Sequence, residues 1–259
     1  MKTKLYFLVL VGIALFISAS FLVRAADPVS PQTLTLGPSS NFNVSGYSAQ
    51  TADALAGNIT AISMTSSSQT KAWAGFYGNI TGTIKLDDAE NYTFYDWSAS
   101  EPRGQIYATL NSSIAWSTIL CYNFTLVPDA EGNSNVDTIE WFYNISTQEV
   151  DGVNETFNDT NHPAFQVGSI TMTGCPTTYV YQDDTSQRNN FINVLLYDNA
   201  TNNATGWVYT TLIENRTPSS GNDLPCYNGV NCDFQILVNE NGHGVNVAVT
   251  TYYFWVELL

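Results

Sequence analysis

Little of what catalysis or nucleic-acid binding requires is present in this chain. Histidine occurs only twice in 259 residues, and lysine and arginine together only eight times. Lys2, Lys4 and Arg24 lie in the first 26 residues, whereas all 23 acidic residues follow. The remainder therefore sets five basic residues against 23 acidic ones, a net charge of −18. Such a chain has no basic surface on which to hold phosphates or anionic lipid headgroups, so nucleic acid is excluded as a partner. Charged residues make up just 12% of the chain, and its polarity comes mostly from 26 Asn, 29 Thr and 22 Ser.

Catalytic signatures are missing too. There is no Gly-x-Ser-x-Gly, no His-Glu-x-x-His and no phosphate-cradling loop. A Ser or Cys nucleophile needs a histidine base. His162 stands in Asn-His-Pro and His243 in Gly-His-Gly, both beside turn residues, and both read as solvated loop histidines. Nothing selects a carboxylate pair for glycoside hydrolysis from the 23 acidic residues. No catalytic residue is assigned, and the chain is not expected to be an enzyme.

Cysteine is scarce but even in number: Cys121, Cys175, Cys226 and Cys232. No Cys-x-x-Cys or nearby His pair suggests zinc. Three disulfide connectivities are open. The favoured one closes the short Cys226–Cys232 loop and uses Cys121–Cys175 as a long-range staple.

What is present begins with an export signal. Lys2 and Lys4 precede an apolar run from Leu5 to Val23, and Ala25 and Ala26 follow. Residues 1–26 read as a signal peptide or, since the run approaches membrane-spanning length, as a signal anchor. Either places the rest outside the cell. Residues 27–50, with Pro28, Pro31 and Pro38, read as a Pro/Ser/Thr-rich linker or a lead-in strand.

From residue 51 to 259 the pattern is that of strands. They are expected at 58–65, 73–86, 91–96, 104–109, 114–126, 138–146, 165–173, 177–182, 191–197, 206–213, 233–239 and 245–258, with room for a short helix at 190–199. Turn residues punctuate them, as at Asp151-Gly152, Asn228-Gly229 and Asn241-Gly242. The expected fold is all-β, an antiparallel β-sandwich of Ig-like or jelly-roll-like type, with the polar stretch 147–163 as a loop or seam.

N-glycosylation acceptors, Asn-x-Ser/Thr, are in excess. They occur at Asn43, Asn58, Asn79, Asn91, Asn111, Asn123, Asn144, Asn154, Asn158, Asn199, Asn203 and Asn215, twelve sites where this composition would place roughly five by chance. Strand alternation sets Asn79 opposite Ile80, Ile84 and Leu86. It sets Asn123 opposite Tyr122 and Phe124, and Asn144 opposite Ile139, Trp141, Tyr143 and Ile145. Each acceptor is thus expected on the wet face of a strand.

One segment carries oxygen ligands at calcium-like spacing: Asp129, Glu131, Asn133, Asn135, Asp137 and Glu140. Ser134 stands where an EF-hand loop requires Gly, so Ca²⁺ is the one cofactor to test and an EF-hand is not expected. The aromatics Trp73, Phe76, Tyr77 and Tyr252–Trp255 could stack on sugar rings, but core packing is the better reading.

Several segments resemble a recurring pattern of uncharacterised secreted proteins of archaea. They are Lys71-Ala-Trp-Ala-Gly-Phe-Tyr-Gly-Asn-Ile-Thr-Gly-Thr-Ile, Thr93-Phe-Tyr-Asp-Trp97, Gly104-Gln-Ile-Tyr-Ala-Thr109, Asp151-Gly-Val-Asn-Glu-Thr-Phe157, Asn190-Phe-Ile-Asn-Val-Leu-Leu-Tyr197 and Thr250-Thr-Tyr-Tyr-Phe-Trp-Val-Glu257. The resemblance spans most of 55–259 and implies an archaeal envelope setting, with no catalytic residue. The expectation is an N-glycosylated structural or interaction protein of the cell surface, whose partners are N-linked glycans and itself or other envelope proteins. The alternative is an extracellular module that binds carbohydrate or a partner cell.

Overall fold

The computed structural model describes residues 26–41, 49–97, 103–124, 135–146, 149–200, 205–214, 224–240 and 249–259, and excludes the side chains of 135–138 and 188–189. Twelve strands run in chain order: β1 (Trp73–Gly78), β2 (Ile84–Asp87), β3 (Thr93–Trp97), β4 (Gly104–Thr109), β5 (Ile119–Cys121), β6 (Phe165–Val167), β7 (Ile170–Met172), β8 (Thr177–Gln182), β9 (Ser186–Asp198), β10 (Trp207–Leu212), β11 (Phe234–Asn239) and β12 (Tyr253–Leu258). Two short helices, α1 (Asn135–Phe142) and α2 (Val153–Thr156), fall between β5 and β6.

Strands β4 and β10 carry no charged residue, and they are buried along nearly their whole length. Only a sheet covered on both faces has places for such strands. They lie at the centre of a six-stranded antiparallel sheet ordered β12-β4-β10-β9-β5, with β8 also paired to β9. The 13-residue β9 shares one edge between two partners, β8 opposite its first part and β5 opposite its end.

One face packs Trp207, Tyr209, Leu195 and Ala108 against Ile236 and Val238 of β11, and against Ile139, Tyr143, Val153 and Phe157 from the helical segment. The other packs Tyr107, Val208, Val194 and Leu196 against Trp116, Ile119 and the β6–β7 hairpin. The upper cover is a second, two-stranded sheet, β1-β11. The architecture is thus the all-β, antiparallel sandwich-like fold read from the strand pattern.

The cysteines pair Cys121 with Cys175 and Cys226 with Cys232. The first bond ties the end of β5 to the approach to β8, the two segments that share the edge of β9. On chain-entropy grounds its 54-residue separation is worth on the order of 4 kcal/mol, against about 2 for the shorter loop.

Several elements differ from expectation. The segment 138–146 is not a strand. Residues 135–142 form α1, which buries Ile139 and Tyr143 four residues apart, whereas Trp141 points outward and is 79% exposed. A helical period and an alternating one both fit Ile139, Tyr143 and Ile145 over so short a run, and packing against Trp207 decides between them.

The expected strand 73–86 breaks after Gly78 and resumes at Ile84, and 114–126 narrows to Ile119–Cys121 behind a 3-10 turn at Trp116–Thr118. No strand forms over 58–65, and no helix over 190–199, where β9 runs through. The 165–173 segment is a hairpin of two strands. Residues 245–248 lie outside the described residues, 249–252 are not in a strand, and β12 begins at Tyr253.

Two close fits hold β12 onto the sheet. Gly104 adopts φ 135°, and a Cβ there would lie 1.8 Å from the Glu257 carbonyl oxygen. The Glu257 carboxylate accepts from the Tyr107 hydroxyl at 2.7 Å and from the Gly168 amide at 3.0 Å, joining β12, β4 and the β6–β7 turn. Burial lifts this carboxyl above its usual range and nearby Asp27 adds to the rise, while the two hydrogen bonds pull it down.

Gly104→Ala is expected to cost about 3 kcal/mol or more, measured by chemical denaturation; an unchanged midpoint would refute the close approach. Because the folded Glu257 holds its proton longer than the unfolded one, stability falls as pH rises from the ordinary glutamate value to the raised one. Glu257→Gln should flatten that fall in urea melts taken from about pH 4 upward.

Candidate functional site

Nine of the twelve acceptor asparagines lie among the described residues. Asn58, Asn79, Asn91, Asn123, Asn144, Asn154, Asn158 and Asn199 are exposed, and Asn111 is half-buried. Asn43, Asn203 and Asn215 fall outside the described residues. None of the nine sits within a strand, which corrects the expectation of acceptors on a strand's wet face. Asn79 follows β1, Asn91 turns the β2–β3 hairpin, Asn111 follows β4, Asn123 follows β5 and Asn199 follows β9. Asn154 and Asn158 lie on and just after α2.

The physical reason is the double cover of the central sheet. Strand side chains there point into one packed layer or the other, so water reaches mainly the turns. The supposed inner face of 79–86 is itself exposed, with Ile84 and Leu86 open to solvent.

Asn144 also has a backbone role. It adopts φ 54° at the end of α1, where its amide bonds to the Trp141 carbonyl at 3.1 Å. The Ile145 amide bonds to the Glu140 carbonyl at 2.7 Å. This is a Schellman ending, with Asn as the left-handed residue. A shallow surface recess lined by Trp141, Asn144, Ile145, Ser146 and Glu149 opens beside it. Asn111 differs from the others because its side-chain amide donates to the Thr205 carbonyl at 2.8 Å and accepts from the Thr205 hydroxyl at 3.4 Å.

Of the calcium candidates, Asp129, Glu131 and Asn133 lie outside the described residues. Asn135 and Asp137 start α1, and their side chains are not described. Glu140 is buried, and its Oε1 accepts from the Val153 amide at 3.0 Å, so its carboxylate caps the first turn of α2. A Cβ on Gly152 would meet that oxygen at 3.0 Å and Glu155 Oε2 at 2.4 Å, so a larger residue there would have to push the Glu155 carboxylate aside and press on that of Glu140. Among the described residues no group of three or more His, Cys, Asp or Glu could hold a metal.

His162 is half-buried rather than loosely solvated. Its Nε2 accepts from the Cys175 amide at 2.9 Å, and Nδ1 faces the Pro163 carbonyl at 2.8 Å, an arrangement that assigns the proton to Nδ1. It clasps the 162 loop to the disulfide. His243 lies outside the described residues.

The aromatics divide between core and surface. Trp73 donates its indole N–H to the Asp151 carbonyl and packs on Phe157, and Phe76 meets Phe254 edge to face. Tyr252 joins a polar cluster under the β1–β11 layer. Tyr143 and Tyr252 share a hydroxyl contact, Tyr252 donates to the Asn239 carbonyl, and Tyr209 donates to the Asn239 side chain. Burial pushes the Tyr143 hydroxyl up to about 12. The β2–β3 hairpin, by contrast, is exposed at all nine residues of its strands. Register places Ile84 opposite Trp97 and Leu86 opposite Tyr95, so these four share one apolar face, and Tyr95 and Trp97 lie 4.7 Å apart.

Residues 49–71 are exposed throughout and, among the described residues, enter no β-ladder. They include Leu55, Ile59, Ile62 and Met64, and lead straight into β1. Among the described residues no helix is long and apolar enough to cross a membrane. Comparison with known proteins gives no match to a family model, to a curated protein or to a solved structure.

Glu140→Ala leaves the buried Val153 amide without its acceptor and should cost about 1–3 kcal/mol. The same loss of melting temperature is expected with a chelator and with millimolar Ca²⁺. A loss seen only with Ca²⁺ would instead make Glu140 a ligand.

Proposed function

We propose that this chain is a glycosylated structural or interaction protein of the cell surface, a subunit of a surface layer, sheath or extracellular filament. One observation carries the reading: eight of the nine described acceptor asparagines are exposed, and all nine lie on turns, helical segments or loops rather than in strands. Glycans there could be attached without disturbing either core. The basic start and apolar run of residues 1–26 fit export, and two disulfides fit an oxidising compartment. The resemblance to secreted archaeal proteins points to an envelope.

A second reading has its own support. The exposed Tyr95–Trp97 face of the β2–β3 hairpin is the kind of surface on which sugar rings stack. Binding of monomeric protein on a glycan array, lost in Trp97→Ala, would favour a carbohydrate-binding module instead.

Electron micrographs of native envelope material should show a lattice or filament containing the protein; its absence there counts against the proposal. Intact-mass and glycopeptide analysis should find occupancy highest at the eight exposed asparagines and lowest at Asn111. Ser146→Ala should remove the Asn144 glycan and keep the helix ending. Asn144→Gln should also lower stability by about 1 kcal/mol, glycan or not.

A further inference from the structure

We propose that residues 58–65 of one copy add as a third strand along the outer edge of β1 in a second copy. The proposal rests on the reading of the chain as an assembling surface protein and names the contact that builds the assembly.

Among the described residues, the β1–β11 ribbon is closed on one edge and open on the other. The Glu240 amide bonds to the Ala72 carbonyl. With the register Ala74↔Val238 and Phe76↔Ile236, alternation turns the backbone groups of Trp73, Gly75 and Tyr77 away from β11. On the far edge of β11 the matching groups are met by side chains. Asn193 donates to the Gln235 carbonyl at 2.8 Å and accepts from the Leu237 amide at 2.7 Å. Thr211 also donates to the Gln235 carbonyl, and Tyr252 donates to that of Asn239. Among the described residues no such plugs stand along β1.

Its outer edge carries none of the usual guards either. Trp73–Gly78 has no lysine and no proline, and a Cβ on Gly75 would meet nothing closer than 4.0 Å. An open strand edge of this kind is a template for another strand.

The chain also supplies a donor. Asn58-Ile-Thr-Ala-Ile-Ser-Met-Thr65 has strand composition, yet among the described residues no ladder within its own chain includes it. Ile59, Ile62 and Met64 are 103%, 60% and 84% exposed. Donor and acceptor segments are both uncharged. In a chain of formal charge −15, neutral segments are where two copies repel each other least.

A fold-back within one chain is poorly served. The connecting residues Ser66-Ser-Ser-Gln-Thr-Lys-Ala72 offer three serines, which turn a chain only weakly, and none of the Gly, Pro, Asn or Asp that favour a tight hairpin. Thr70 is held by its hydrogen bonds to Asp151 and to the Ala72 amide.

The test compares the native glycosylated chain with Ile62→Pro, a change at an exposed residue that touches neither core. Light scattering gives the mass and hydrogen exchange follows the β1 amides. The wild type should assemble, with the Trp73, Gly75 and Tyr77 amides slowed by at least roughly tenfold. Ile62→Pro should stay at the mass of one chain, with those amides unprotected. A synthetic peptide of residues 57–66, added in excess, should dissociate the wild-type assembly. If Ile62→Pro assembles like the wild type, the strand addition is overturned while the surface-assembly reading stands. Protected β1 amides in a wild-type monomer would mean pairing within one chain, which also overturns it. Unprotected β1 amides in an assembled wild type would do the same.

Discussion

Coverage of the central sheet on both faces is the constraint from which most of the structure follows. Strands β4 and β10 and the 191–198 part of β9 have no wet face, so almost every side chain on them must be apolar or hydrogen-bonded. Several of the polar residues in this region are satisfied by particular partners, whereas Gln105 Oε1 and Thr210 Oγ1 are buried without one among the described residues. Asn193 and Thr211 reach up to β11, Tyr209 meets Asn239, and Tyr107 meets Glu257. These bonds do more than satisfy buried groups. They hold the two-stranded cover in register on the sheet below and lock the edge strand β12 beside β4.

The same constraint distributes the surface chemistry. With the strands given over to packing, acceptor asparagines are left to turns, helical segments and loops. There they can serve the backbone as well: Asn144 ends α1 and Asn91 turns a hairpin, both in the left-handed conformation that Asn tolerates. The acidic excess sits on this outer shell too, apart from groups such as Glu140 and Glu257 that are drawn inward as hydrogen-bond acceptors.

The N-terminal part of the chain stands apart from this economy. From Ala49 to Lys71 every residue is exposed, and the β2–β3 hairpin shows an apolar face to solvent. Val29 bridges Val256 on the outer edge of β12, but Pro31 falls where the next ladder donor would be and has no N–H to give. Pairing along β12 therefore ends at a residue that cannot donate, and among the described residues an open edge remains along β1.

Much of the architecture was legible from local pattern. Gly104–Thr109 and Thr177–Gln182 were bounded correctly as strands, the sandwich class followed from their number, and the favoured disulfide pairing is the one formed. Local pattern failed where two periods fit the same few residues, as at Ile139–Ile145, and where a strand needs a partner the chain does not supply, as at 58–65. Asn144 at a left-handed helix end was the available sign of α1. The roles of Glu140, His162 and Glu257 had no such sign, because each depends on a backbone amide far along the chain. Sequence alone determined which segments favour extended structure and where glycans could attach, since both depend on residues a few positions apart. Only the tertiary structure decided which faces are wet, which edges are plugged and which carboxylates are buried, because those depend on what the fold brings alongside.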